Sequence, residues 1–453
     1  MEYVLISDRD NVKVCLDNGH KYAVKDIKKG EQIIKYGFPI GIASQDIKEG
    51  EHIHSHNLKT ALEGTLEYKY TPDIKPLDNT QSIMIDAYER KNGDIGIRND
   101  IWIIPTVGCV NSIAKGLADK TGAFCFTHPY GCSQLGDDLV VTQKVLAGLV
   151  KHPNAGGVLV LGLGCENNNI AEFKKALCEY DEERIRFLNC QDFDDEIAEG
   201  VKIISELQAI AKQDKRTSVP ASRLKIGLKC GGSDGLSGIT ANAMCGKITD
   251  RHISMGGTAV LTEVPEMFGA EQILMNRCVD ENVFKDTVRL INNYKEYFIS
   301  HNQPVSENPS PGNKEGGITT LEEKSLGCVQ KGGTAPVTAV LDYGDVAEKS
   351  GLNLLNGPGN DMVAVTNLTA VGCHLILFTT GRGTPLGAPV PTIKISTNSA
   401  LAKRKKSWID FDAQAGDENS LFDLIVETAN GRETQNEQSS CREIAIFKNG
   451  VTL

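Results

Sequence analysis

From residue 82 onward, short runs of apolar residues alternate with longer stretches of helical periodicity, and few folds accommodate that order. Ile101-Trp102-Ile103-Ile104 and Val158-Leu159-Val160-Leu161 are continuous apolar runs of strand length, as expected for strands covered on both faces. Helical patterns fall near 138–151, 168–179 and 194–213, and the polar stretch 213–222, with Lys215, Arg216 and Pro220, reads as a boundary. Beyond it come strand candidates at 224–228, 259–262, 375–378 and 392–395, with helices near 266–277 and 281–299. Strands separated by helices pair in parallel. The expectation is an α/β multidomain chain with two such domains, 82–218 and 219–453, the second the larger.

The first sixty residues differ in kind. Asp26-Ile27-Lys28-Lys29-Gly30-Glu31 returns as Asp46-Ile47-Lys48-Glu49-Gly50-Glu51, each copy a turn leading into a short strand. Between them, Ile33-Ile34-Lys35-Tyr36-Gly37-Phe38-Pro39-Ile40-Gly41 has the β-branched residues and Gly/Pro punctuation of short strands folded back on each other. A small all-β module over 1–68 follows, then a linker over 69–81 containing Pro72 and Pro76. The module's last strand carries three of the chain's nine histidines in Glu51-His52-Ile53-His54-Ser55-His56-Asn57, where a spacing of two puts all three imidazoles on one strand face. That suits a metal site or proton transfer, and it also fits a solvated edge strand.

At 453 residues the chain is long enough for two or three domains, each burying its own core. A net charge of -11 argues against a nucleic-acid or anionic-membrane partner, which would demand a basic patch, but leaves room for a small anionic substrate. No secretory leader is read at the N-terminus and no run approaches eighteen apolar residues. The thirteen cysteines are an odd number with no CxxC pair, which points to a reducing cytoplasm rather than a disulfide framework.

Glycine-rich turns follow the strand candidates, where open α/β sheets bind ligands: Gly162-Leu163-Gly164-Cys165-Glu166-Asn167-Asn168, Cys230-Gly231-Gly232-Ser233-Asp234-Gly235 and Thr379-Thr380-Gly381-Arg382-Gly383-Thr384-Pro385. None is a nucleotide fingerprint. Gly162-Leu163-Gly164 lacks the third glycine because position 167 is Asn, and Gly246-Lys247 is followed by Ile248 rather than Ser or Thr.

Several segments together carry a resemblance: Lys35-Tyr36-Gly37-Phe38-Pro39-Ile40-Gly41, His54-Ser55-His56-Asn57, Ile104-Pro105-Thr106-Val107-Gly108-Cys109-Val110-Asn111, His128-Pro129-Tyr130-Gly131-Cys132-Ser133-Gln134, Glu263-Val264-Pro265-Glu266, Ser306-Glu307-Asn308-Pro309-Ser310-Pro311-Gly312-Asn313, Glu322-Glu323-Lys324-Ser325-Leu326-Gly327-Cys328 and Gly357-Pro358-Gly359-Asn360-Asp361. They resemble the altronate and galactarate dehydratase family of hexuronate and aldarate catabolism, with the altronate branch nearest. The resemblance implies an N-terminal β-clip module of the SAF type, a second domain used for homodimerisation, and a Rossmann-like C-terminal domain with a divalent metal, iron(II) first and manganese(II) second. The implied reaction takes water from a sugar acid, converting D-altronate to 2-keto-3-deoxy-D-gluconate. The C2 proton is removed, an enediolate is stabilised by the metal, and the C3 hydroxyl leaves.

Within that frame Cys230, Asp234, Glu263, Glu266 and Asp361 offer thiolate and carboxylate ligands, and Cys132 is a further one. Lys324 and Arg382 suit the substrate carboxylate, His128 acid–base work, and His54 and His56 completion of the site from a closing lid, with His52 solvated. An iron–sulfur set of Cys132, Cys165, Cys230 and Cys328 matches no cluster spacing. Alternatives on the same scaffold are galactarate dehydration and expulsion of sulfite from a sulfolactate-type acid; a sugar-acid sensor without turnover is the reading outside enzymology.

Overall fold

Seven short strands open the chain: β1 (Tyr3–Val4), β2 (Val12–Cys15), β3 (Lys21–Ala23), β4 (Gln32–Lys35), β5 (Phe38–Ala43), β6 (His52–Ile53) and β7 (Leu58–Lys59). They pair antiparallel in two small sheets, β1-β2-β3-β6 and β4-β5-β7. The sequence repeat has a physical purpose here. Asp46 accepts from the Lys29 amide at 2.9 Å and Asp26 from the Glu49 amide at 3.0 Å, so each copy caps the other's turn, and Ile27 pairs with Ile47 between them.

The histidines depart from expectation. β6 ends at Ile53, and His54 to Asn57 form a turn held by the Asn57 side chain, which accepts from the His54 amide at 2.9 Å. Turn geometry rather than strand pleat gathers the rings: His52 lies 5.6 Å from His54 and 5.9 Å from His56 between centroids.

The computed structural model describes residues 2–62 and 64–453, and it has the mixed α/β fold expected. Residues 69–81 have no regular structure, yet they are fastened: the Tyr70 hydroxyl donates to the Cys278 carbonyl at 2.9 Å, and the Asp73 amide to Asn276 at 2.8 Å.

After it, β8 (Met84–Glu89) and β9 (Ile95–Gly96) lead into β10 (Asp100–Pro105), α1 (Asn111–Thr121), β11 (Phe124–Cys125), α2 (Gly136–Val150), β12 (Ala155–Gly162), α3 (Ile170–Leu177), β13 (Ile185–Asn189) and α4 (Glu196–Ala211). β10 to β13 make a parallel sheet in the order β11-β10-β12-β13, so the chain reverses direction between β10 and β12. β14 (Thr217–Pro220) returns to pair with β8.

The largest sheet holds β15 (Lys225–Cys230), β16 (Thr258–Leu261), β17 (Val337–Leu341), β18 (Gly351–Leu355), β19 (Leu375–Thr380), β20 (Thr392–Ser396) and β21 (Phe411–Asp412), all parallel, in the order β17-β18-β16-β15-β19-β20-β21. The helices α5 (Ala241–Ser254), α6 (Glu271–Met275), α7 (Glu281–Ser300), α8 (Pro311–Glu315), α9 (Leu321–Cys328) and α10 (Asp361–Ala370) connect its strands. From β15 the chain proceeds to one side and from β19 to the other, which opens a crevice beyond the carboxyl ends of these two neighbours. None of the helices described is long and apolar enough to cross a membrane.

The N-terminal strands do not enclose a core of their own, contrary to the reading of one core per domain. Val12, Ile33, Ile40 and Ile53 belong to one buried cluster with Ile226, Leu228 and Leu326, because small sheets with strands of two to six residues bury too little apolar surface alone. What fixes the module in place is ionic. Glu323, on α9, receives Lys21 Nζ at 2.8 Å and Lys35 Nζ at 2.9 Å, all three buried, and Lys21 also donates to the Gly317 carbonyl at 2.9 Å. One residue earlier, Glu322 accepts from the Thr60 hydroxyl at 2.9 Å and the Ala61 amide at 2.7 Å. Against the cost of burial the two ammoniums pull the Glu323 carboxyl down to about 2, while burial pushes Lys21 down to about 8.

Replacing Glu323 with Gln strands two buried ammoniums on a neutral amide, and the urea midpoint is expected to fall by the equivalent of about 3–5 kcal/mol. The sign with pH is also fixed. A carboxyl held below its ordinary 4.5 stabilises the fold above that pH and loses its contribution as pH falls toward about 2, so E323Q shows a flatter acid dependence over that window than the parent chain.

Candidate active site

Charged residues that a strand core would exclude form the floor of the crevice beyond β15 and β19. β15 ends in Leu228-Lys229-Cys230, and the Lys229 ammonium is completely buried, in contact with Glu263 and 2.8 Å from Asp361 Oδ1. Glu263 follows β16 with φ +72°, a left-handed conformation costly for a residue with a side chain. That turn lets the Glu263 carboxylate accept from the Cys230 amide at 3.0 Å and brings Glu266 to the same centre. Gly231 permits the crossing: a Cβ there would sit 2.6 Å from Asp361 Oδ2.

Two thiols and a carboxylate meet at the floor. Glu266 Oε2 lies 3.1 Å from Cys230 Sγ and 3.0 Å from Cys328 Sγ, with 3.3 Å between the sulfurs. Among the described residues theirs is the only set of three metal-type donor atoms within 4.8 Å of one another. Lys331 Nζ donates to Cys230 Sγ at 2.9 Å, and Lys324 Nζ stands 2.9 Å from Glu266 Oε1, held in turn by the side-chain oxygens of Asn308 at 2.9 Å and Asn313 at 3.2 Å.

These contacts divide the protons. The Cys328 thiol, donating to Cys230, brings the Cys230 thiol down to about 6 against the effect of burial, and the Lys331 and Lys229 ammoniums assist. Burial works against the Glu266 carboxylate too, but Lys324, Lys229 and Lys331 hold it far below the usual range. Burial, with the Cys230 and Glu266 charges, pushes Glu263 well up. Neighbouring acids with opposite shifts are the arrangement that acid–base chemistry requires. Above this floor opens a cavity of about 1190 Å³, lined by Cys230, Glu266, Asn308, Lys324 and Asp361, with Tyr130 and Phe447 contributing to its wall.

Cys230, Glu263, Glu266, Asp361 and Lys324 are thus brought together, and the other expected residues are not. The Asp234 carboxylate does not reach the donor set; it accepts from the Leu236 amide at 3.1 Å, Ser237 Oγ at 3.1 Å, Thr397 Oγ1 at 2.8 Å and Asn398 Nδ2 at 3.3 Å, tying the glycine turn after β15 to the turn after β20. Arg382 lies outside the cavity wall, half exposed and paired with Glu315 at 2.8 Å. His128 is buried in the second region with both ring nitrogens engaged, by the Pro105 carbonyl at 2.8 Å and the Tyr130 amide at 3.1 Å, and burial depresses it to about 4. Cys132 is exposed on the loop after β11, apart from the buried thiols. His54 Nε2 meets the Lys314 carbonyl of α8, a cavity-wall helix, at 2.8 Å. His56 packs near His52, and His20 joins them, its Nδ1 3.0 Å from His52 Nε2. Half-burial, then the charge of His20, lowers His52 to about 4, so its expected solvation is only partial.

Lys229, Lys331 and His20 are not among the expected residues, and Cys328 enters only through the iron–sulfur set, which the structure splits between two sheets. Lys229 leaves a signal in the sequence: a lysine inside Ile226-Gly227-Leu228-Lys229-Cys230 has no water to face and must be paired.

Three family models match the chain: an altronate/galactarate dehydratase SAF domain over residues 7–61, a D-galactarate dehydratase/altronate hydrolase second domain over 87–212, and a D-galactarate/altronate dehydratase C-terminal domain over 221–452. The chain is 51% identical to the altronate dehydratase of Escherichia coli (strain K12) with 100% of both chains covered, and 52% identical to that of Bacillus subtilis (strain 168) over 99% of this chain and 94% of the relative. It is also 30% identical to the galactarate dehydratase (L-threo-forming) of Escherichia coli (strain K12), over 95% of this chain and 93% of the relative.

If Asp234 is a brace between turns, Asp234→Ala takes the acceptor from three buried donors, Leu236, Ser237 and Thr397, and lowers thermal stability by the equivalent of about 1–3 kcal/mol, whereas Asp234→Asn, which keeps an acceptor oxygen, loses less. Calorimetric unfolding of both variants checks the order; equal losses contradict it.

Proposed function

The chain belongs to the altronate/galactarate dehydratase family, a family of hydro-lyases, and from that premise we propose that it dehydrates D-altronate to 2-keto-3-deoxy-D-gluconate. The observation that carries the reading is the cavity floor, where buried ammoniums face the Cys230 thiol and carboxylates at the crevice of the large sheet.

A proton next to a carboxylate is weakly acidic, because its removal puts a second charge on the carboxyl group. Lys324 is the ammonium on the cavity wall; it pairs with the substrate carboxylate and stabilises the charge that grows there as the C2 proton leaves. Asp361 is a cavity-lining carboxylate, with a side chain 36% exposed and oriented by Lys229, and it is placed to take that proton. His54 contacts α8 at the rim, and with His56 it is the acid for the departing C3 hydroxyl once the module closes over the substrate.

The donor set fits a divalent ion. Cys230 and Glu266 are held toward the anionic form that metal ligation requires, whereas its bond to Cys230 and burial push the Cys328 thiol up, so Cys328 gives up its proton only on ligation; two sulfurs with one carboxylate suit iron(II), with manganese(II) second. Held by Cys230, Glu266 and Cys328, such an ion would supply Lewis-acid polarisation of the substrate carboxyl group.

The test is turnover. Anaerobic protein supplied with iron(II) and altronate is expected to yield a 2-keto-3-deoxy acid, trapped with semicarbazide; product from galactarate and none from altronate overturns the substrate assignment. Lys324→Met should lower kcat/KM by about 10²–10³-fold, the range for loss of one charge-stabilising donor. Glu266→Gln and Cys328→Ser should each weaken iron(II) retention on desalting by at least about tenfold. Unchanged metal content in both variants rules out that ligand set.

A further inference from the structure

The second parallel sheet has a crevice of its own, and the chain places three cysteines on the loops that border it. β10, β11 and β12 are adjacent, the direction of the chain reverses between β10 and β12, and each of the three is followed by a Gly-Cys pair: Gly108-Cys109, Gly131-Cys132 and Gly164-Cys165. Only four of the thirteen cysteines are exposed, and three of those four are these.

The loops that carry them are bound to one another. The Gly108 amide donates to the Tyr130 carbonyl at 2.8 Å, and the Asn168 amide to the Gly131 carbonyl at 2.9 Å. Asn167 Oδ1 accepts from the Ser133 amide at 2.8 Å, so Cys132 is flanked on both sides by contacts to the loop of Cys165. The glycines are sterically required. A Cβ at Gly131 would fall 2.0 Å from the Thr106 carbonyl oxygen, and one at Gly164, where φ is +128°, would fall 2.7 Å from Gln191 Oε1. Cys109 and Cys132 therefore follow glycines packed against the backbone of a neighbouring loop, and Cys165 follows one packed against the Gln191 side chain. Two sulfurs also have polar donors: Gln191 Nε2 lies 3.7 Å from Cys165 Sγ and Ser133 Oγ 4.0 Å from Cys132 Sγ.

We propose that Cys109, Cys132 and Cys165 ligate an iron–sulfur cluster in this crevice. Spacing favours a cluster over a single ion. One ion at about 2.3 Å from each sulfur holds any two within about 4.6 Å, and these three sulfurs do not form a set lying within 4.8 Å of one another. A cluster places an iron under each sulfur and bridges the irons with sulfide, so its protein ligands stand farther apart. Donors to the sulfurs, as from Gln191 and Ser133, are among the means by which proteins tune such clusters. On assembly each thiol loses its proton as its sulfur–iron bond forms; iron and sulfide come from solution.

The proposal is independent of the dehydratase reading, because its test needs no substrate. The full chain is incubated anaerobically with ferrous and ferric iron and inorganic sulfide, desalted, and assayed for iron, acid-labile sulfide and visible sulfide-to-iron absorption. The parent chain is expected to retain all three signals; Cys109→Ser, Cys132→Ser and Cys165→Ser should each lose most of the sulfide, while the exposed control Cys178→Ser keeps it. A parent chain without labile sulfide, or three variants that retain it, overturns the assignment. Alkylation of the loaded parent chain, read by peptide mass, gives a second measurement free of folding effects. Protection of Cys109, Cys132 and Cys165 but not Cys178 supports the cluster, and equal labelling of all four refutes it.

Discussion

Charge burial at the end of β15 is the constraint on which the rest of this structure depends. Lys229, Lys324 and Lys331 are buried together with Glu263, Glu266 and Cys230. Each ion carries an effective desolvation penalty of several kcal/mol, which only close opposite charge and full hydrogen bonding offset. Here the compensation comes from separate pieces of chain: β15 supplies Lys229 and Cys230, the turn after β16 supplies both glutamates, and α9 with the segment after it supplies Lys324, Cys328 and Lys331. Displacing any one piece leaves an unpaired buried charge in another. The left-handed Glu263 is tolerated for the same reason, since its carboxylate holds the Cys230 amide and the Lys229 ammonium at once.

α9 extends this constraint to the N-terminal module. Successive residues of a helix point about 100° apart, so Glu322 and Glu323 reach the module while Lys324 turns toward the cavity. Module and cavity are thus read by adjacent side chains of one rigid, wholly buried helix. The contact of His54 with the α8 carbonyl adds a second tie to the same wall. Small antiparallel sheets with no core of their own gain stability from this docking, and the docking in turn fixes where Lys324 stands.

What was legible in the sequence was local. Runs such as Ile101-Trp102-Ile103-Ile104 and glycine turns such as Cys230-Gly231-Gly232 declare themselves within a few residues, and the structure places them as strands and strand-end turns. Pairing between distant residues was not legible. Asp234 has the composition of a ligand, and only the positions of Thr397 and Asn398 reveal that it braces two turns. His128 and Arg382 fail for related reasons, one locked by backbone groups of its own region and the other drawn outward by Glu315. The contiguity of the core across N-terminal strands and large sheet has no sequence signature, because Ile33 and Ile40 read the same whether they cover their own sheet or another.

The two parallel sheets use one architectural rule for different chemistry. Both have a crevice where the direction of the chain reverses, and both fill it with cysteines set beside glycines. In the large sheet the thiols are buried among ammoniums, which stabilises a thiolate and the anionic chemistry of a carboxylate substrate. In the smaller sheet they are exposed on its loops. The loop after β11 connects the two, because Tyr130 lines the large cavity while Cys132, two residues on, lies between Gly131 and Ser133, whose backbones bond to the loop of Cys165. Through Tyr130 the second region contributes to the cavity wall, so it is a part of the site rather than a spacer between the module and the large sheet.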